Sequence, residues 1–248
     1  MMRTANPALN ANTFKRTGAF SDLGVMTIQG TVNKTLLLLI ISLFSATMVW
    51  NKFFTSANPA LIMPWMWGGV IGGFIVALIT IFKKELSPMT VPIYALLEGL
   101  FLGGISSILE VRFPGIVIQA VGLTFGVLFT LLAAYKSGLI KPTQNFRLGV
   151  VAATGAIALF YFASIILGFF GIHLSMIHGS GPIGIGFSVF VVIIAALNLV
   201  LDFDFIERGV DSGAPKYMEW YGAFGLLVTL IWLYVEILRL LVKLNSRR

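Results

Sequence analysis

Long apolar runs alternate with short polar segments along most of the chain. Seven of these runs are long enough for an α-helix to cross about 30 Å of hydrocarbon, which takes roughly 20 residues. The predicted spans are Val32–Trp50, Pro64–Phe82, Met89–Leu109, Ile116–Tyr135, Leu148–Ile172, Pro182–Ile206 and Tyr221–Leu244. The pattern therefore predicts an all-α integral membrane protein, a bundle of seven transmembrane helices.

The connectors between the runs are short and contain turn-forming pairs such as Asn58-Pro59 and Lys141-Pro142. None of them is long enough to form a second folded domain. We therefore predict one transmembrane domain at residues 32–244. A polar cytoplasmic segment at residues 1–31 precedes it, and a basic tail at residues 245–248 follows it.

The composition supports a membrane protein, since 58% of the residues are hydrophobic and only 11% are charged. Soluble domains carry about 25% charged residues, so this chain has too little polar surface for a water-soluble globule. The net charge of +7 could indicate a nucleic-acid partner. The basic residues are spread over the connectors instead, where they suit lipid headgroups, and we expect no nucleic-acid binding.

The distribution of lysine and arginine predicts the orientation. These residues concentrate before the first span and in the second, fourth and sixth connectors, which places the N-terminus in the cytoplasm. Seven spans then place the C-terminal tail outside, although it is basic as well. Two interpretations remain open: the earlier loops outweigh the tail, or the final segment is re-entrant and the number of spans is even.

Acidic residues inside spans are costly and usually serve function, so they are the first candidates for chemistry. Glu98 lies near the middle of the third span, which contains no basic residue. Asp202 lies near the end of the sixth span. Asn198 precedes it by four residues, shares its helical face and could support it with a hydrogen bond. We predict that Asp202 and Glu98 sense protons.

Two further carboxylates, Asp204 and Glu236, are also candidates for proton sensing or gating. Each has a simpler interpretation. Asp204 could be an interfacial group at the end of the sixth span, and Glu236 could form an ion pair with Arg239, three residues later on the same helix.

The sequence gives little support for catalysis. The chain has no cysteine, which excludes disulfides, thiolate metal sites and a cysteine nucleophile. Ser106 and Ser107 lie in a span, but no span contains a histidine that could activate them. We expect no enzyme activity, no catalytic residue, no metal site and no resident cofactor, with calcium at most a transient ligand.

Glycines at four-residue spacing occur in three spans, as in Gly69/Gly73, Gly99/Gly103 and Gly122/Gly126. Lipid provides no hydrophobic drive for helix association, so close backbone approach along such faces has to provide it. We expect these faces to pack helices together.

Several longer stretches carry a family signal over most of the chain. They are Asn6-Pro7-Ala8-Leu9, Met26 to Thr35, Tyr94-Ala95 with Glu98-Gly99-Leu100, and Leu201 to Asp204 continuing through Gly213 to Tyr221. Together they resemble the Bax inhibitor/YccA family, also called the transmembrane Bax inhibitor motif family, and most closely its bacterial branch. The resemblance implies a seven-helix fold with a central last helix, and a cytoprotective role.

The resemblance also implies a mechanism. Some members leak calcium in a pH-dependent way, through a gate in which aspartates of spans six and seven pair. Asp202 matches the first position. The second is expected near Gly225–Thr229, where this chain has no acid, and Glu236 lies two to three turns further on. We infer that Glu98 takes the place of the missing partner.

The sequence therefore predicts a bacterial inner-membrane protein that forms a pH-regulated leak for cations, calcium above all. The alternative is a non-conducting regulator that binds a membrane protease or other membrane proteins, because the resemblance includes one bacterial member that modulates a membrane-bound protease.

Overall fold

The computed structural model describes residues 24–56, 58–171 and 179–247. Seven long helices occupy most of these ranges: α1 (Ile28–Ser56), α2 (Met63–Phe82), α3 (Ser87–Arg112), α4 (Ile116–Lys136), α5 (Gln144–Phe169), α6 (Pro182–Asp211) and α7 (Met218–Asn245). All seven are long and apolar enough to cross a membrane. The predicted seven-helix transmembrane fold is confirmed.

The helices extend beyond most of the predicted spans. The first begins at Ile28 rather than Val32 and ends at Ser56 rather than Trp50. Hydropathy marks only the apolar part of a helix, whereas the backbone hydrogen bonds continue through polar residues at its ends. The fifth helix ends earlier than predicted, at Phe169. The predicted end of that span, Ile172, and the family-like stretch at residues 6–9 lie outside the described residues.

Local sequence explains several of the helix starts. The Asn58 side chain accepts a hydrogen bond of 2.9 Å from the backbone N–H of Ala60, at the start of a single 3₁₀ turn that leads into α2. The Thr143 hydroxyl accepts one of 3.3 Å from Phe146 N–H at the start of α5. Gly115, before α4, has a φ of 84°, a left-handed conformation that favours glycine.

The chain divides into two compact units. The first consists of the residues up to Pro114 together with Asp204–Val228. The second consists of Gly115–Phe203 and Thr229–Arg248. Helices α6 and α7 therefore each contribute one part to each unit, and the longer part of both lies in the second unit.

In the first unit, α3 packs against α1 and α2 through glycines. A Cβ added to Gly99 would lie 1.9 Å from Ser45 Oγ, and one added to Gly69 would lie 2.5 Å from the backbone oxygen of Leu97. These two faces pack helices as predicted. A Cβ on Gly122 of α4 would meet no atom within 4 Å in the described part of the chain, so the prediction does not hold there.

The residues before α1 pair with the α6–α7 connector, also in the first unit. Val25 and Pro215 form an antiparallel β-bridge. The backbone N–H of Met26 donates to the carbonyl oxygen of Ala214 over 2.7 Å. The segment before the first helix is therefore joined by backbone hydrogen bonds to the connector before the last helix.

The second unit has a core of Ile157, Val191 and Ile194, which are buried and packed against Tyr161 and Trp232. This core joins α5, α6 and the second half of α7. Half of the most apolar stretch of α7 is buried, as is half of that of α3, compared with 11% for α5. Because α3 is buried to the same extent as α7, the central place predicted for α7 stays a prediction.

Candidate functional site

The predicted sensor Asp202 lies on α6 in the second unit and contacts α7 there. Its Oδ2 atom is buried and has no hydrogen-bond partner among the described residues. The side chain of Thr229, on α7, is hydrogen-bonded to the same carboxyl group. A carboxylate in a span is costly to keep ionised when one of its oxygens has no donor. Asp202 is therefore suited to take up a proton or a cation.

Thr229 is a residue that the sequence analysis missed as a site residue. It comes from the stretch in which the family resemblance implies a second acid. A hydroxyl group thus contacts Asp202 where a second carboxyl group was expected. The available signal was an isolated polar residue within a run of apolar ones.

The predicted support from Asn198 takes a different form. Its amide nitrogen donates to Thr154 Oγ1, on α5, and to the backbone oxygen of Ile194, both over 2.8 Å. Both donors of this amide are therefore used by groups other than Asp202. Asn198 joins α5 to α6 and stands one turn before Asp202.

Glu98 lies in the first unit, half-buried on α3. It is hydrogen-bonded to Tyr94, one turn earlier on the same helix. A Cβ added to Gly73, on α2, would lie 2.9 Å from Glu98 Oε1, so the carboxyl group fits against α2 because residue 73 is a glycine. The predicted partnership of Glu98 with Asp202 stays a prediction.

Asp204, in the first unit, is paired with a base on its own helix. Its Oδ2 lies 2.6 Å from Arg208 Nη2, one turn later. This ion pair at the end of α6 agrees with its interpretation as a structural group.

Glu236, in the second unit, forms a three-membered cluster. Arg239 Nη1 donates to both carboxylate oxygens, over 2.9 Å and 3.1 Å. The Tyr161 hydroxyl, from α5, lies 3.1 Å and 3.2 Å from the same two oxygens, and Arg239 also donates to this hydroxyl. The ion pair expected from the three-residue spacing is present, and Tyr161 completes it.

One turn after this cluster, Lys243 is buried, with 5% of its surface exposed. Its ammonium group donates to the backbone oxygen of Gly184 over 2.9 Å and to Ser188 Oγ over 2.8 Å. Both partners lie in the first turns of α6. Lys243 falls within the last predicted span and was not predicted as a site residue.

The most extensive polar cluster, around Glu219 in the first turn of α7, was not predicted. This carboxylate is fully buried. Its Oε1 accepts hydrogen bonds from the backbone N–H and the hydroxyl of Thr27, over 2.9 Å and 2.8 Å. Lys216 Nζ lies 2.8 Å from Oε1, and Lys34 binds Oε2. Glu219 therefore fastens the start of α1 to the start of α7.

Tyr217, just before α7, lies beside this cluster. Its backbone oxygen accepts a hydrogen bond of 3.0 Å from Ser87 Oγ. Burial, together with the charge of Glu85, raises the pKa of the Tyr217 phenol, so the hydroxyl stays protonated near neutral pH.

The described residues contain no group of three or more histidines, cysteines, aspartates and glutamates that could hold a metal ion. In the second unit, the clusters around Glu236 and Lys243 offer hydroxyl oxygens, one carbonyl oxygen and one carboxylate. Such oxygens suit hard cations bound weakly and with water.

Comparison with known proteins gives one match. A model of the family described as Bax inhibitor 1 like matches residues 6–246, which include every helix from α1 to α7. No curated protein and no solved structure matches the chain.

Proposed function

Because the chain belongs to the Bax inhibitor 1 like family and is a multi-pass membrane protein, we propose that it forms a pH-regulated leak for cations, calcium above all. We place this activity in the bacterial inner membrane, with the N-terminus in the cytoplasm, and propose a cytoprotective role without enzyme activity. The observation that carries the proposal is the carboxyl group of Asp202, which has one buried oxygen without a hydrogen-bond partner.

The proposed mechanism follows from the two states of this carboxyl group. Protonated, it is neutral, and its contact with Thr229 holds α6 and α7 together. Ionised, it carries a charge inside the span, and Thr229 bonds to only one part of it, so water or a cation would have to stabilise the oxygen that has no donor among the described residues. Calcium is a hard ion that prefers oxygen ligands, so an ionised Asp202 would attract it.

The hydroxyl partner gives the proposal a distinguishing feature. Two paired carboxyl groups would release protons in two coupled steps. Asp202 paired with Thr229 has one titrating group, and we expect the leak to follow a single-proton curve. If Glu98 is the second acid, as the sequence suggested, Glu98→Gln should change the shape of that curve.

The test is calcium flux into proteoliposomes of the purified protein between about pH 5 and 8, with empty liposomes as the blank. We expect a pH-dependent flux in the parent and a flux without pH dependence in Asp202→Asn. Asp204→Asn is the matched control, because Asp204 lies two residues away and is paired with Arg208. This control should keep the pH dependence of the parent.

The outcomes separate the two functions that the sequence suggested. A flux whose pH dependence persists in Asp202→Asn would exclude this residue as the sensor. A parent flux equal to that of empty liposomes at every pH would overturn the leak. The non-conducting regulator would then be the remaining function, and capture of a membrane protease from native membranes would test it.

A further inference from the structure

One face of α7 carries polar residues along the whole part of the helix that lies in the second unit. Thr229, Glu236 and Lys243 follow one another at seven-residue spacing, so they lie on one side of the helix, about 10 Å apart. Thr229 contacts Asp202 on α6, and Lys243 contacts Ser188 on α6. This face of α7 is therefore turned towards α6 at both ends.

Glu236, the middle of these three residues, binds a cation from its own helix. A single nitrogen of Arg239 bridges both carboxylate oxygens, at 2.9 Å and 3.1 Å. A calcium ion that binds a carboxylate through both oxygens takes the same bridging position. The Tyr161 hydroxyl supplies a third oxygen beside the two of the carboxylate. The guanidinium group thus occupies the place of a metal ion.

The neighbouring turn repeats the arrangement. The ammonium group of Lys243 occupies a position between two oxygens, those of Gly184 and Ser188. Neither partner is charged, so these oxygens would otherwise be available to a hard cation. Two oxygen-lined positions beside α7, one against α5 and the next against α6, are therefore filled by cations of the protein itself.

The exposure of the pair at Glu236 is unequal. The Glu236 side chain is 2% exposed, whereas that of Arg239 is 38% exposed. The guanidinium group therefore has fewer protein neighbours than the carboxylate, and it is the partner that could leave the pair if water reached it. A buried carboxylate left without its partner is strongly destabilised, so a proton or a replacement cation has to neutralise it.

From this geometry we propose that Glu236 and Tyr161 form a divalent-cation site, and that Arg239 is a tethered cation that competes with calcium for it. The protein supplies three oxygens and water completes the coordination, which gives the weak binding that permeation requires. The role of this competition in limiting the leak rests on the proposed function. The binding site itself does not.

The test is direct calcium binding to the full-length protein in detergent or nanodiscs, measured by titration calorimetry. We expect Arg239→Gln to bind calcium about tenfold more tightly than the parent, a coupling typical of two ligands that compete. Glu236→Gln combined with Arg239→Gln removes the carboxylate of the site and should lose the added calcium binding, with an affinity no higher than that of the parent. Arg239→Lys keeps the tethered charge and should also bind as weakly as the parent. A merely structural ion pair would produce none of these differences.

Because loss of Arg239 could prevent folding, the yield of folded Arg239→Gln is also compared with and without calcium during extraction. If Arg239→Gln is recovered folded only when calcium is present during extraction, the site is supported. Failure to fold with or without calcium would overturn it, as would a folded Arg239→Gln with the calcium affinity of the parent. Calcium flux separates this inference from the proposed leak. If Arg239→Gln binds calcium more tightly but no variant conducts, the binding site is supported and the leak is refuted. If the parent conducts but Arg239→Gln binds calcium no more tightly, the leak is supported and the binding site is refuted.

Discussion

Glu219 offers the sharpest test of how this fold is held together. The substitution Glu219→Gln keeps the size of the side chain and an oxygen for Thr27, but removes the negative charge. Hydrogen bonds to a charged acceptor contribute about 1.5–3 kcal/mol, against about 0.5–1.5 kcal/mol for neutral ones, so the two bonds from Thr27 together lose about 2 kcal/mol. The pair with Lys34, whose side chain is 18% exposed, adds about 1 kcal/mol. We expect a total loss of about 3 kcal/mol.

The partner Lys216 provides an internal comparison. Its side chain is 45% exposed, so its pair with Glu219 contributes less than about 1 kcal/mol. The assay is equilibrium unfolding in mixed micelles of increasing sodium dodecyl sulfate, for Glu219→Gln, Lys216→Gln and the exposed-acid control Glu207→Gln. The control should lie within about 0.5 kcal/mol of the parent. Equal stabilities for the first two variants would refute the reasoning, because they would mean that Thr27 and Lys34 contribute nothing.

Two further predictions concern packing and the second unit. Gly99→Ala should destabilise the protein by about 1–3 kcal/mol in the same unfolding assay, because its Cβ would overlap Ser45. Gly122→Ala should be neutral or slightly stabilising, because its Cβ would meet no atom within 4 Å among the described residues. Equal effects of the two substitutions would contradict this difference in packing. Tyr161→Phe should cost about 1–2 kcal/mol, because the carboxylate of Glu236 loses a donor and the guanidinium an acceptor, and an unchanged midpoint would show that the hydroxyl is not part of the cluster.

The seven helices could be predicted from the sequence because apolar runs of this length are a local property of the chain. The pair of Glu236 and Arg239 could also be predicted, since three-residue spacing on a helix places two side chains side by side. Tyr161 could not, because it comes from another helix 75 residues away in the chain. Spacing along the sequence identifies pairs of residues on one helix, but it cannot identify a partner such as Tyr161 that lies on another helix.

Local spacing also misled the interpretation in two places. The four-residue spacing of Asn198 and Asp202 suggested a hydrogen bond, yet the amide of Asn198 bonds to Thr154 on α5, a competitor that only the packing of α5 reveals. The glycines of α4 have the same spacing as those of α3, but a glycine face packs only where another helix meets it. Gly122 and Gly99 cannot be told apart by their own sequence neighbourhoods.

The cluster around Glu219 has a consequence for how the protein is made. Thr27 lies just before α1 and Lys34 lies within it, yet their common acceptor lies 192 and 185 residues further along the chain. At about 5–20 residues per second, Lys34 has to wait about 10–40 seconds in the nascent chain before Glu219 is synthesised. During that interval the start of α1 has only water and lipid headgroups to satisfy its charge. Helix α7 therefore completes this cluster, and a chain interrupted before α7 would leave the start of α1 without its carboxylate partner.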